Sequence, residues 1–272
     1  MAKPDGKTAL VTGSTDGVGR VVAERLGQDG VRVLVHGRDR TRGEEAVAAI
    51  KAKGGAAEFL QADLSSLAEV RRLAEAVKQA TARLDILINN AGVGRGIDPT
   101  KREASADGYE LRFAVNYLAG FLLTELLLPL IKKSAPARIV NVSSLGQERI
   151  DFSDVMLTRD YDGMRAYRQS KLAQILFTID LAHALEGSGV TVNALHPATF
   201  MDTKMVREFG APRSTVEEGA DAILRLALAP ELEGRSGLYF NGQREAKADA
   251  QAYDAAARAQ LKALSLRLTG LG

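Results

Sequence analysis

Short runs that are apolar at almost every position alternate along the chain with longer segments of mixed character. The runs that read as strands are TALVTG (8–13), VRVLVHG (31–37), AEFLQAD (57–63), LDILINNAG (84–92), ARIVNVSS (137–144), VTVNALHP (190–197) and GLYFNG (237–242). Between them, segments near 18–29, 41–53, 65–81, 104–133, 163–186 and 214–229 carry the Ala, Leu, Glu and Arg content of helices. Strands that are apolar nearly throughout are buried on both faces, and a helix in each connection demands right-handed parallel crossovers. The pattern predicts a single doubly wound α/β domain over 1–272, with a mostly parallel seven-stranded sheet and helices on both faces.

Two stretches break the rhythm. One is 145–162, LGQERIDFSDVMLTRDYD, an irregular charged insertion after the fifth strand; the other is the tail 243–272, whose Tyr253, Leu261, Leu264, Leu266 and Leu268 suggest a closing helix. Both follow the C-terminal ends of strands, where open α/β sheets bind ligands, so both are expected to wall a substrate. The apolar region FAVNYLAGFLLTELLLPLI contains Asn116, Glu125 and Pro129, and its longest uncharged run falls short of a membrane span. It reads as a buried core helix, with no membrane span expected, and it can face either the sheet alone or a second copy in a homo-oligomer.

Composition narrows the chemistry. Apolar residues make up 46% and charged residues 26% of the 272, and the net charge of +2 offers no electrostatic case for nucleic acid. Without cysteine there is no disulfide, thiol nucleophile or Cys-ligated metal, which fits a cytoplasmic protein. The N-terminus MAKPDGKTALVTG lacks the pattern of a secretory leader. His36, His183 and His196 show no metal-ligand spacing, so no metal is expected.

The segment TGSTDGVG (12–19) follows the first strand and opens the first helix. Gly13, Gly17 and Gly19 allow a tight turn and a close backbone approach to a pyrophosphate, to which the helix N-terminus offers free N–H groups. Further along, NNAG (89–92) ends the fourth strand, NVSS (141–144) ends the fifth, and AYRQSK places Tyr167 four residues before Lys171, on one helix face. These motifs, in this order over nearly the whole chain, resemble the short-chain dehydrogenase/reductase family of Rossmann-type enzymes. The insertion before Tyr167, HGRDRTRGEEA after the second strand, and the closing LKALSLRLTGL are most like its retinol-dehydrogenase-like, carbonyl-reducing branch.

The resemblance implies hydride transfer between a nicotinamide cofactor and a small-molecule carbonyl or alcohol. Tyr167 would be the general acid in reduction and the base in oxidation. Lys171 would hold the nicotinamide ribose and lower the phenol pKa, since a nearby ammonium favours phenolate. Ser144, preferred over Ser143, would hydrogen-bond the substrate oxygen, and Asn116 would hold a water leading a proton relay. Implied cofactor contacts are Gly13, Thr15, Asp16, Gly17, Val18 and Gly19 of the loop, then Asn90, Ala91 and Gly92, with Asp63 and Leu64 flanking the adenine. Asp63 has an alternative as a turn or helix cap.

NAD-preferring relatives usually carry an acid at the end of the second strand; here Gly37 and Arg38 occupy that place. A missing carboxylate and a bidentate guanidinium favour NADP(H) over NAD(H). Asp16 in the loop and Asp39 near the ribose temper that preference and leave NAD(H) open. After the sixth strand, HPATFMDT replaces the usual Pro-Gly, so Pro197 and Thr199 are candidate contacts and Thr203 a weaker one. A serine hydrolase is disfavoured because Val142 stands where a nucleophile elbow needs glycine. A catalytically silent cofactor-binding sensor on the same fold is the competing reading.

Overall fold

The strands are β1 (Thr8–Val11), β2 (Arg32–Gly37), β3 (Ala57–Gln61), β4 (Ile86–Asn89), β5 (Ala137–Val142), β6 (Val190–His196), β7 (Tyr239–Asn241) and β8 (Arg244–Ala246). They form one sheet in the order β3-β2-β1-β4-β5-β6-β7-β8. Every pairing is parallel except that of β7 with β8. The computed structural model describes residues 6–207 and 210–272; the leader reading of the N-terminus lies in part, at residues 1–5, outside them.

Alternation along each strand divides the core. Leu10, Leu34, Leu87, Ile139 and Val192 face one helix layer, formed by α3 (Leu67–Ala80), α4 (Ala119–Lys133) and α5 (Gly163–Ala184). Val11, Val33, Val35, Ile88 and Val140 face α1 (Gly17–Gln28), α2 (Arg40–Ala52) and α7 (Val216–Leu228), while α6 (Lys204–Arg207) is a single turn after β6. Helix starts follow local chemistry: Asp16, Asp39, Ser66 and Asp162 cap α1, α2, α3 and α5, and Thr215 with Glu218 forms a reciprocal capping box on α7.

Two expectations are corrected. The sheet has an eighth strand: the tail turns back at Gly242, which has a φ of +58°, and lays Arg244–Ala246 antiparallel on β7 before α8 (Ala255–Thr269) begins. Short strands with polar, exposed residues such as Arg244 and Glu245 carry no apolar signature. The helix expected from 104 starts only near Leu111, because residues 103–110 fold into a bridged turn pairing Ala104 with Glu110. Its first part, Phe113–Leu118, is a wider π-helical stretch. Phe113–Lys133 is long and apolar enough to cross a membrane, and here it packs Phe113, Leu118, Leu122 and Leu127 into the core. The tail helix α8 lies on α5, with Tyr117 Oη and Ser265 Oγ 2.7 Å apart beneath it.

Candidate active site

Because β1 sits between β2 and β4, the chain leaves the sheet in opposite directions on its two sides and opens a crevice at the C-terminal strand ends. Thr12 closes the bottom: its Oγ1 accepts from the amides of Asn90 (2.9 Å) and Ala91 (3.0 Å), while Asn90 Nδ2 donates to the carbonyls of Thr12 (2.8 Å) and Gly13 (3.1 Å). A Cβ on Gly13 would lie 2.9 Å from Ala91 Cα, and one on Gly19 would lie 2.3 Å from Gly13 O. Those glycines are therefore required for the two strand ends and α1 to approach. Thr15 covers Gly37, Val18 packs into the core, and Asp16 Oδ1 accepts from Gly17 N at 2.8 Å. Beneath the loop, Gly13 N donates to His36 Nδ1 at 3.1 Å, and burial drops the His36 pKa to about 4.

The end of β2 carries an exposed ionic cluster. Arg42 Nη1 lies 3.2 Å from Asp16 Oδ2, and its Nε lies 3.9 Å from Asp39 Oδ2. Arg38 approaches Asp63 to 3.9 Å. Asp39, considered above as a ribose ligand, is engaged as the cap of α2 through Arg42 N at 3.1 Å. Asp63 Oδ1 accepts from Ser65 N at 2.9 Å, the turn role foreseen as its alternative, and the Leu64 side chain is buried in the core.

On the other side of the crevice, α5 runs beside β5 and presents Tyr167 and Lys171 toward Ser144. Lys171 is only 5% exposed; its Nζ lies 5.9 Å from the Tyr167 ring centroid and donates to Val142 O (2.9 Å) and Gln174 Oε1 (3.1 Å). Ser143 Oγ donates to Lys171 O at 2.7 Å, which commits the first serine of NVSS to helix packing. Ser144 Oγ accepts from Gly146 N at 3.0 Å and is hydrogen-bonded to Tyr167. The Ser144 carbonyl accepts from Tyr239 Oη at 2.9 Å.

Asn116 stands in the π-helical stretch. Its Oδ1 accepts from Val93 N (2.7 Å), and its Nδ2 donates to Val93 O (3.1 Å) and Ser170 Oγ (2.9 Å). Both amide protons and one lone pair are thus bound to protein, so the side chain ties the loop after β4 to α5. A Cβ on Gly92 would lie 3.2 Å from Asn116 Oδ1 and 3.5 Å from Lys171 Nζ; the glycine leaves that approach to the ammonium open.

Burial dominates the electrostatics. It lowers Lys171 to about 7, and it raises the Tyr167 pKa above the ordinary phenol value, with the Ser144 hydrogen bond pulling the other way. The expectation that Lys171 acidifies Tyr167 is therefore corrected for the ligand-free protein. The ammonium bonds to neutral oxygens rather than to the phenol, and desolvation outweighs any attraction. His196, buried at the end of β6, is lowered to about 4 by burial and then by the Lys171 charge. Next to Pro197, Thr199 Oγ1 lies 3.1 Å from His196 Nε2, and a Cβ on Gly17 would meet Thr203 at 3.5 Å, so the segment after β6 reaches over the glycine loop.

The wall after β4 is locked from within. Arg112, 1% exposed, donates to Gly94 O (3.0 Å), Glu103 Oε2 (2.6 Å) and Tyr161 Oη (3.1 Å), and lies 3.5 Å from Glu110. Tyr161 in turn donates to Glu110 Oε1 at 3.0 Å, joining the 145–162 insertion to this cluster. Ile97, Leu145, Phe200 and Tyr253, all exposed, lie on segments after β4, β5 and β6 and in the tail. Sequence reasoning missed Arg42, Gln174 and Arg112. Arg42 and Gln174 had a signal, lying one turn beyond Arg38 and Lys171; Arg112 had none.

The donor set fits a nicotinamide dinucleotide: an open helix N-terminus on a glycine turn, guanidinium groups at the end of β2, and an approachable ammonium at Gly92. Among the described residues no cluster suited to a metal ion is present. A family description, short chain dehydrogenase, matches residues 7–214. Retinol dehydrogenase 14 of Mus musculus is 40% identical over 98% of this chain and 86% of its own. Polyprenol dehydrogenase of Mus musculus is 38% identical over 98% of this chain and 85% of its own. The active-site complex of Pseudomonas aeruginosa RhlG with NADP superposes with a TM-score of 0.72 at 30% identity, covering 88% of this chain and 95% of that one. The chain belongs to the short-chain dehydrogenase/reductase family of oxidoreductases.

Proposed function

We propose that this oxidoreductase interconverts an apolar carbonyl compound and its alcohol with NADP(H), using Tyr167 as proton donor and acceptor. The observation that carries the reading is the convergence of Ser144, Tyr167 and Lys171 beside Gly92, at the crevice that the glycine loop opens. When bound, the nicotinamide supplies or accepts the hydride. Tyr167 gives its proton to the substrate oxygen as negative charge develops there, and Ser144 hydrogen-bonds the same oxygen. A phenol raised by burial is protonated at neutral pH, so the side chain carries the proton that carbonyl reduction consumes. Lys171 holds the ribose hydroxyls and offsets charge on the phenolate once the proton has left.

NADP(H) is favoured because Arg38 follows β2 and Arg42 lies in the first turn of α2, and because Arg42 neutralises Asp16, the residue that argued against a phosphate. An apolar substrate fits the exposed Ile97, Leu145, Phe200 and Tyr253 and the names of the two dehydrogenase relatives. The test is a Tyr167→Phe variant assayed with NADPH and NADH on a panel of aldehydes and ketones. Normal NADPH binding with turnover lowered at least ~100-fold is expected. Equal inactivity of the wild type and the variant across the panel would instead favour a silent cofactor sensor, and a strong NADH preference would overturn the role given to the two arginines.

A further inference from the structure

Lys171 is a deeply buried ammonium, and its partners are unusual in both being neutral. Lysine only donates, so the Gln174 atom facing it at 3.1 Å is the amide oxygen. The other acceptor, Val142 O at 2.9 Å, is backbone and cannot be varied. Gln174 is itself buried and lies one turn along the same helix, where its backbone carbonyl accepts from Thr178 Oγ1 at 2.8 Å.

The elements packed around the ammonium bring it no compensating charge. On α5 there is Tyr167, with its ring centroid 5.9 Å away. From β6 there is His196, neutral at ordinary pH and disfavoured further by the lysine charge. Tyr239 of β7 bonds to the Ser144 carbonyl and faces Gln147, Tyr167 and Tyr253, and the π-helical stretch offers the neutral amide of Asn116. Among the described residues no carboxylate pairs with Lys171, and burial alone accounts for its depressed pKa. The Gln174 amide is then the adjustable support for the charged form.

Building on the role given to Lys171 above, we propose that Gln174 is a positioning residue: its amide oxygen fixes the Lys171 ammonium beside the end of β5 and favours its protonated state. A hydrogen bond to the charged form raises a lysine pKa, whereas an apolar neighbour lowers it further. An amide oxygen also holds Nζ toward the Gly92 side without forming the tight ion pair that a carboxylate would. The residue thereby keeps the ammonium available to a ligand while resisting its loss to burial.

The test compares Gln174→Leu, Gln174→Glu and Gln174→Asn in the full-length protein. Lys171 is titrated directly by lysine-selective NMR of the ligand-free protein, its resonance assigned by its loss in Lys171→Met. The Leu variant is expected to lower the midpoint by about one pH unit and the Glu variant to raise it by at least that much, with Asn between Leu and wild type. The alkaline limb of kcat/KM for carbonyl reduction should move in the same order, changing activity at high pH about tenfold for each pH unit the limb moves. If the Leu variant fails to fold, opposite displacements in the Asn and Glu variants make the same case. Coincident midpoints in the Glu variant and the wild type overturn the proposal, as does a uniform loss of activity with no movement of the limb. Midpoints that move as stated while Tyr167→Phe retains full turnover would leave the Gln174 contact standing and remove the catalytic reading instead.

Discussion

Two arginines flank the site, each set between two carboxylates, and they do opposite things. Arg112, on the substrate side, is 1% exposed and bonded to Glu103 at 2.6 Å, with Glu110 at 3.5 Å. Arg42, on the cofactor side, is 51% exposed and lies 3.2 Å from Asp16 and 3.9 Å from Asp39. The charges match; the solvent does not. A buried guanidinium without partners is costly, so Arg112 holds the loop after β4 and the 145–162 insertion in one arrangement. An exposed pair is worth little in water, so Asp16 holds Arg42 only weakly, as the proposed phosphate role requires. Location relative to solvent turns one triad into a structural lock and leaves the other open to a ligand.

Breaking the lock should have the largest effect. Arg112→Met leaves Glu110 buried without its cation and is expected to destabilise the protein by about 3–5 kcal/mol, visible as a fall of roughly 10 °C in the thermal midpoint. An unchanged midpoint would show that the fold does not depend on the lock. Glu110 adds a pH signature: burial raises its pKa, so the folded state binds more protons than the unfolded one just above the ordinary carboxylate range. Its contribution to stability is full at low pH and falls as pH rises through the folded pKa; a Glu110→Gln variant should lack that slope in pH-dependent melts.

The exposed triad should instead respond in binding. Arg42→Ala is expected to weaken NADPH about tenfold with little change for NADH and an unmoved melting midpoint, measured by fluorescence titration. A loss shared equally by both cofactors would contradict a phosphate role. Removing the competing carboxylate by Asp16→Asn, which preserves the cap on α1, should tighten NADPH by a few-fold, with the gain fading in high salt.

A further test concerns the histidines at the strand ends on either side. His36 and His196 are both lowered to about 4 by burial, so between pH 6.5 and 4 the unfolded chain takes up protons that the folded chain refuses. Stability should therefore drop as pH falls through that window, and His36→Asn should flatten part of the slope. A wild-type slope that the substitution leaves intact would assign the effect elsewhere.

The alternation of apolar runs and helical segments was legible because each strand of a doubly wound sheet is buried on both faces, and Val33–Val35 or Ile86–Ile88 say so without help. Strand β8 was not legible: Arg244–Ala246 gains its place from pairing with β7, not from its own composition. The late start of the helix before α4 was equally hidden, since beside the bridged turn at Ala104 and Glu110 the Glu110–Arg112 pair is bonded to Tyr161, some fifty residues on in the insertion.

What the sequence determined by itself was local and repetitive: glycines where a Cβ would collide, acids and hydroxyls at helix starts, and a tyrosine and a lysine one turn apart on one helix face. Tertiary structure decided how those groups behave. It raised Tyr167 and lowered Lys171 by removing water, and tied the Asn116 amide to Val93 and Ser170. Spacing fixes which side chains can meet, but desolvation and hydrogen-bond partners come from segments distant in the chain, and those set the charge each group carries.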